Sequence, residues 1–252
     1  MTRTLRSVLT SEKNSRYKGG IDHRLQIDFA YNSNHIEGSR LTHEQTRYIY
    51  ETKTIGAENA SVNDIIETVN HFRCFDYILD TLSQPLTEEY IKNLHRILKN
   101  GAFEDYAVIG DYKTLPNEVG QLETALPEDV PEQMRKLLSE YNRPSLTLYE
   151  IADFHQKYEK IHPFYDGNGR TGRLLMFKQC LENDVIPFFI DDFHKRFYYM
   201  GLQEWQKEEK SERLITVFLS SQDYMKQIMD YFRIEYSHKE YTYKEVLAEA
   251  GK

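Results

Sequence analysis

Apolar side chains that return every three or four residues constrain this sequence more than any other feature. Ile65, Ile66, Val69, Phe72, Ile78, Leu79 and Leu82 fall at such steps, a spacing that lines up one face of an α-helix. Ile91, Leu94 and Leu98 make a second stripe, and Leu148, Ile151, Ala152, His155, Tyr158 and Ile161 a third. Capping chemistry marks the ends. Thr87 precedes Glu88 and Glu89, so it supplies a side-chain acceptor and negative charge at a helix start, and Asn100-Gly101 is a stop. Thr42 with Gln45 three residues later is a capping box for a helix through Tyr48 and Ile49. The pattern predicts an all-α fold.

One stretch departs from it. Between Gly101 and Pro131 the glycines 101, 110 and 120 and the prolines 116, 127 and 131 break any helical period, and Tyr106 to Ile109 is β-prone. A small hairpin or flap, about residues 106–120, is expected over a helical body. The chain then divides into N-terminal helices over 1–55, a core over 56–222 and a helical tail over 223–252. That tail is too short for a three-helix DNA-binding module.

Composition narrows the function classes. A chain of 252 residues suits one sizeable domain, and no apolar stretch approaches the roughly 20 residues of a spanning helix. Met1 to Tyr17 mixes Arg3, Arg6, Lys13 and Arg16 with isolated apolar residues, which is no secretion signal, so the expected compartment is the cytoplasm. Cys74 and Cys180 are far apart among apolar neighbours and read as buried thiols. A net charge of −8 argues against a nucleic-acid footprint; any bound anion belongs in a local site.

Residues 162–173, His-Pro-Phe-Tyr-Asp-Gly-Asn-Gly-Arg-Thr-Gly-Arg, supply one. Gly167 and Gly169 let several backbone N–H groups turn toward one point at a helix start, where an anion is favoured. Arg170 and Arg173, three apart on one face, oppose the helix dipole there, which suggests that a polyanion such as a triphosphate compensates them. Asp166 is a hard oxygen ligand suited to Mg²⁺, and His162 is the obvious base.

This run resembles the signature of the Fic family, His-Pro-Phe-x-(Asp/Glu)-Gly-Asn-Gly-Arg-x-x-Arg, with every fixed position matched. Looser likeness runs from about Thr87 to Ser221 and includes Ile109-Gly110-Asp111-Tyr112, Leu126-Pro127 and Tyr198-Tyr199. The resemblance implies a Fic-type helical bundle with a short β-hairpin flap over the active site. It implies an adenylyltransferase that moves AMP from ATP to a Ser, Thr or Tyr hydroxyl of a protein, itself included, with Mg²⁺ or Mn²⁺. By the same carry-over His162 takes the hydroxyl proton, Asp166 holds the metal, and Gly167, Asn168, Gly169, Arg170, Thr171, Gly172 and Arg173 contact the nucleotide. Phe164 anchors the loop, and Tyr198 and Tyr199 wall the adenine. Leu115, Pro116, Asn117, Glu118 and Val119 align the target as an added strand. Two positions depart from the family pattern: Lys113 stands where Arg is common, and Gln206 lies near the place of a common Asn. A dimer is one open oligomeric state.

Ser33-Asn34-His35-Ile36-Glu37-Gly38 resembles the family's inhibitory motif, (Ser/Thr)-x-x-x-Glu-(Gly/Asn). Arg24 to Asn34 reads as helical with Gly38 as its stop, so Glu37 sits at a helix C-terminus, where a carboxylate is disfavoured. The resemblance implies that Glu37, steadied by Ser33, pairs with Arg173 and takes the space of the γ-phosphate. Removal of AMP, transfer of another phosphorylated group and non-catalytic nucleotide binding are the competing readings. Gly169, where the kinase-like branch has Lys, and the intact His162 and Asp166 weigh against the last two.

Overall fold

The computed structural model describes residues 3–54, 60–102, 108–119, 122–236 and 242–252. Eleven helices and one hairpin occur among them. In chain order they are α1 (Leu5–Ser15), α2 (Ile21–Ile36), α3 (His43–Thr52), α4 (Val62–Asp80), α5 (Glu88–Lys99), β1 (Glu118–Val119), β2 (Leu122–Glu123), α6 (Val130–Tyr141), α7 (Leu148–Ile161), α8 (Asn168–Glu182), α9 (Asp192–Glu208), α10 (Glu212–Tyr231) and α11 (Tyr243–Glu249). The apolar stripes fall on α4, α5 and α7, with Thr87 capping α5 through the Tyr90 amide at 3.1 Å and the Thr42–Gln45 box opening α3.

Helix α8 is the axis of the body. Nearly all its side chains are buried, polar ones included, because α2, α4, α5 and α7 all pack on it. A helix enclosed on every side has no solvent face to be amphipathic about. Phe177 of α8 packs against Phe29 of α2 and Phe75 of α4, with ring centroids 4.7 and 4.6 Å apart. This aromatic cluster fixes the two helices that carry the N-terminal and central parts of the site.

The hairpin pairs Val119 with Leu122 and Glu118 with Glu123, so its strands lie at the end of the expected flap and beyond it. The β-prone piece does not form a strand where it is described: Val108 is irregular and Ile109 begins a turn, while Tyr106 and Ala107 lie outside the described residues. The reason is local. Gly110 takes φ +75° and gives its N–H to His95 Nδ1 at 3.0 Å, and a Cβ there would sit 2.7 Å from Arg96 Nε. The chain is bent down onto α5 at Gly110, directly after Val108 and Ile109.

At the other end, α10 runs without a break through residues 222 and 223. Glu235 donates its amide to Arg3 O at 2.9 Å, which ties the two ends of the body together. No described helix is long and apolar enough to cross a membrane. Cys74 and Cys180 are free thiols, and burial raises the pKa of both.

Candidate active site

The loop between α7 and α8 begins and ends in left-handed backbone. His162 closes α7 at φ +52°, its amide held by Tyr158 O at 2.9 Å, and Gly167 opens α8 at φ +77°. A non-glycine residue held there costs about 1–3 kcal/mol and persists only where its surroundings over-determine it. Asn168 does much of that: its Oδ1 accepts from Phe164 N and its Nδ2 donates to Phe164 O, each at 2.8 Å. With 1% exposure, Asn168 is a staple inside the loop rather than a side chain facing a ligand. Phe164 is fully buried and stacks flat on His95, centroids 3.8 Å apart.

His95 was not singled out by the sequence, yet it organises the loop. Its Nδ1 accepts from Gly110 N, which leaves the ring proton on Nε2 to donate to Asp166 O at 3.0 Å. Burial brings its pKa down to about 4, so the ring is neutral near pH 7. His162 is likewise held near 4, first by burial and then by the positive charge of Lys113. A neutral imidazole is the form that can accept a proton.

The two arginines turn apart. Arg173 donates through Nε to Ser33 Oγ at 3.1 Å, and through Nη2 to Ser33 O at 2.9 Å and Glu37 Oε1 at 2.7 Å. The structure thus joins the two segments that the sequence singles out separately. The carboxylate lies over the first turn of α8, where a Cβ on Gly169 would collide with Glu37 Oε1. Arg170, 3% exposed, instead faces Glu67 and, at 3.1 Å, Asp166 Oδ2. The same two carboxylates hold Lys99, whose Nζ lies 2.5 Å from each. The sequence expectation that a polyanion compensates both arginines therefore needs amendment: Glu37, Glu67 and Asp166 do so within the chain.

Lys99 and Glu67 carried no motif. Lys99 and His95 stand four apart beside the Ile91–Leu94–Leu98 stripe, but neither their burial nor their partners on α4 and in the loop follow from that spacing.

Behind Arg173 lies a second buried polar group. His155 Nε2 meets Tyr198 Oη at 2.7 Å, and Glu159 Oε1 lies within 2.6 Å of where a Cβ on Gly172 would stand. Burial pushes the Glu159 carboxyl up to about 8, against the pull of Arg173 and with the push of Glu37. Tyr198 is 1% exposed and belongs to this layer, whereas Tyr199, 41% exposed, presents a face to solvent. Thr171 is fully buried beneath the turn. Gln206 turns to Gln156 O at 3.0 Å.

The flap is tied to the loop. Lys113 N donates to Pro163 O at 2.9 Å and Asn117 Nδ2 to Phe164 O at 3.0 Å. Lys113 Nζ reaches Asn117 Oδ1 at 2.6 Å and Thr124 Oγ1 at 2.7 Å. Leu115 (63% exposed) and Val119 (38%) face outward beside Pro116 and Glu118. The donor set at Asp166 suits a hard divalent cation bound mainly by phosphate and water: one carboxylate, 53% exposed. No group of three His, Cys, Asp or Glu side chains among the described residues forms a metal cage by itself.

Comparison with known proteins adds a family. The Fic/DOC family model matches residues 85–180. Protein adenylyltransferase Fic of Nematostella vectensis is 32% identical over 180 residues, and that of Aedes aegypti 30% over 184. These alignments cover 68% and 70% of this chain but 42% and 36% of the relatives, so the chain spans about two fifths of their length. A crystal structure of a Fic-domain-containing signaling protein from Bacteroides thetaiotaomicron superposes with a TM-score of 0.70 at 25% identity, covering 98% of this chain and 97% of that one.

Proposed function

This chain carries a domain of the Fic/DOC family, over residues 85–180, and from that premise we propose that it is a protein adenylyltransferase, moving AMP from ATP to a Ser, Thr or Tyr hydroxyl of a protein. The observation that carries the reading is the carboxylate of Glu37 seated on Arg173 against Gly169 at the start of α8. A place shaped by a glycine turn, a helix N-terminus and an arginine holds an anion, and a nucleotide phosphate is the anion this chemistry selects.

In this reading the α8 N-terminus and Arg173 position the phosphates. Neutral His162 accepts the proton of the target hydroxyl as its oxygen bonds to the α-phosphorus and the bond to pyrophosphate breaks. Asp166 would hold the Mg²⁺ that neutralises phosphate charge. The outward Leu115–Val119 segment, anchored by Lys113 and Asn117, aligns a target chain by backbone pairing. Glu37 restrains the reaction, because its carboxylate occupies Arg173 and the space of the outermost phosphate. Support for the activity comes from the adenylyltransferase relatives; support for the restraint comes from the Glu37–Arg173 contact.

Incubation with α-labelled ATP, Mg²⁺ and a cell lysate tests it. Label should appear on protein and should drop by roughly 10²–10⁴-fold in His162→Ala, the range of a lost general base. Equal labelling by the variant would remove His162 from that role.

A further inference from the structure

Lys99 ends α5, where a cation is welcome to the helix dipole, yet its amino group is turned inward. The side chain is 1% exposed, with Nζ 2.5 Å from Asp166 Oδ2 and 2.5 Å from Glu67 Oε1. Its stem supports the glycine turn as well: a Cβ on Gly167 would lie 3.3 Å from Lys99 Cδ. Arg170 closes the figure from the other side, bonded to Glu67 and to Asp166 Oδ2. Among the described residues, two cations and two carboxylates make a group whose formal charges cancel. A divalent ion arriving at Asp166 therefore meets a carboxylate that two cations already share.

We propose that Lys99, itself held by Glu67, is the resident counter-ion of Asp166 and sets how tightly the site takes a divalent cation with its nucleotide. Lys99 is a positioning residue: it acts on the metal through Asp166 and touches no reacting atom. The inference rests on the adenylyltransferase reading and extends it to two residues outside the signature. Its physics is a sign rule. Deleting the positive charge of Lys99 makes the group more negative and raises its attraction for a cation; deleting the negative charge of Glu67 makes it more positive and lowers that attraction. Simple loosening of a buried network would weaken metal binding in both cases.

The test uses Mn²⁺ as probe, read by the electron paramagnetic resonance of the free ion, with the full chain and the β,γ-imido analogue of ATP. Lys99→Met, which keeps the length of the side chain, should tighten Mn²⁺ binding roughly tenfold, the effect of a unit charge a few ångströms away after partial screening. Glu67→Gln should weaken it by a similar factor, and Lys99→Arg, which keeps the charge, should shift it by less than either. Thermal unfolding of each variant shows whether it folds; should Lys99→Met fail to, Lys99→Gln takes its place, since a loss of Mn²⁺ affinity there, as loosening alone would give, overturns the proposal. Weaker binding in both variants, or no shift in either while the wild type binds analogue and Mn²⁺, overturns the inference and leaves the enzyme assignment standing. A wild type that takes no analogue removes both.

Discussion

Arg170 and Arg173 lie one turn apart at the start of the same helix, and their surroundings differ in kind. Arg170 is answered by Glu67 from α4 and by Asp166 from its own loop, with Lys99 of α5 woven through both. Arg173 is answered by one residue pair at the end of α2, Ser33 and Glu37. Glu67 is 15% exposed and Glu37 31%. The first counter-charge is built into the core; the second stands at the edge, on the last residue before Gly38, whose φ is +97°. The contact at Arg173 also relieves two helix ends at once. Glu37 brings negative charge to the positive end of α8, and Arg173 donates to Ser33 O, a last-turn carbonyl at the negative end of α2. On the proposed reading, an ion group set in the core beside a counter-charge at the edge lets Glu37 leave Arg173 without loss of fold.

Stability gives the largest expected contrast. Glu67→Ala leaves Lys99 and Arg170, both nearly inaccessible, sharing the half-exposed Asp166, and breaking a buried pair in this way costs about 3–5 kcal/mol. Glu37→Ala leaves Arg173 its two bonds to Ser33, so the loss should be about 1 kcal/mol. Urea unfolding of the two variants measures both. Equal losses would mean that the two arginine sites do not differ as their burial suggests.

Activity should separate them in the opposite sense. Glu37→Gly removes the carboxylate from Arg173 and clears the space over Gly169, so AMP transfer should rise by roughly tenfold or more, with nucleotide affinity changing less than rate. No comparable rise is expected from Glu67→Ala, which frees Arg170 at the expense of the group around Asp166. Initial rates of label transfer decide between them. A Glu37→Gly variant no faster than wild type on any target, itself included, would end the autoinhibition reading.

What the sequence made legible follows from how local each signal is. The helices were readable because periodicity and caps such as Thr42–Gln45 and Thr87 lie within one turn of what they control. The signature loop was readable for the same reason, since His162, Asp166 and the glycines that shape the turn are within a few residues of one another. The contact of Glu37 with Arg173 crosses 136 positions and was reached through a family motif together with two charges at the wrong helix ends. Nothing of that kind marked Glu67, Lys99, His95 or Glu159. Each is a polar residue beside an apolar stripe, and only the packing of α4, α5 and α7 around α8 decides that it faces the site. Of the β-prone piece, Val108 and Ile109 misled because β-propensity says nothing of the hydrogen bond from Gly110 to His95.

The smallest expected effect concerns pH and again belongs to the Arg173 side. Burial is the main reason that the Glu159 carboxyl is raised to about 8; Arg173 opposes the rise and Glu37 adds to it. A carboxyl with a folded pKa above its unfolded value of 4.5 binds a proton in the folded state that the unfolded chain has released. Its contribution to stability is full below 4.5 and is lost as pH rises through 8. Glu37→Gly removes one of the two causes that push the pKa up, so the loss of stability between pH 5 and 8 should be smaller in the variant than in wild type. Buried His71, His95, His155 and His162, all shifted below 6.5, act with the opposite sign, and Asp22, raised to about 7, acts with the same sign. Those further from Glu37 contribute nearly alike in both chains and cancel in the difference; His162 does not cancel fully, because Glu37 supports its protonated form and its removal steepens the gain of stability below pH 6.5. The comparison is therefore cleanest between pH 7 and 8, where these four histidines are neutral in both folded chains. Melting temperatures of wild type and Glu37→Gly across that interval test it, and parallel curves would show that Glu159 does not sense the carboxylate on the other side of Arg173.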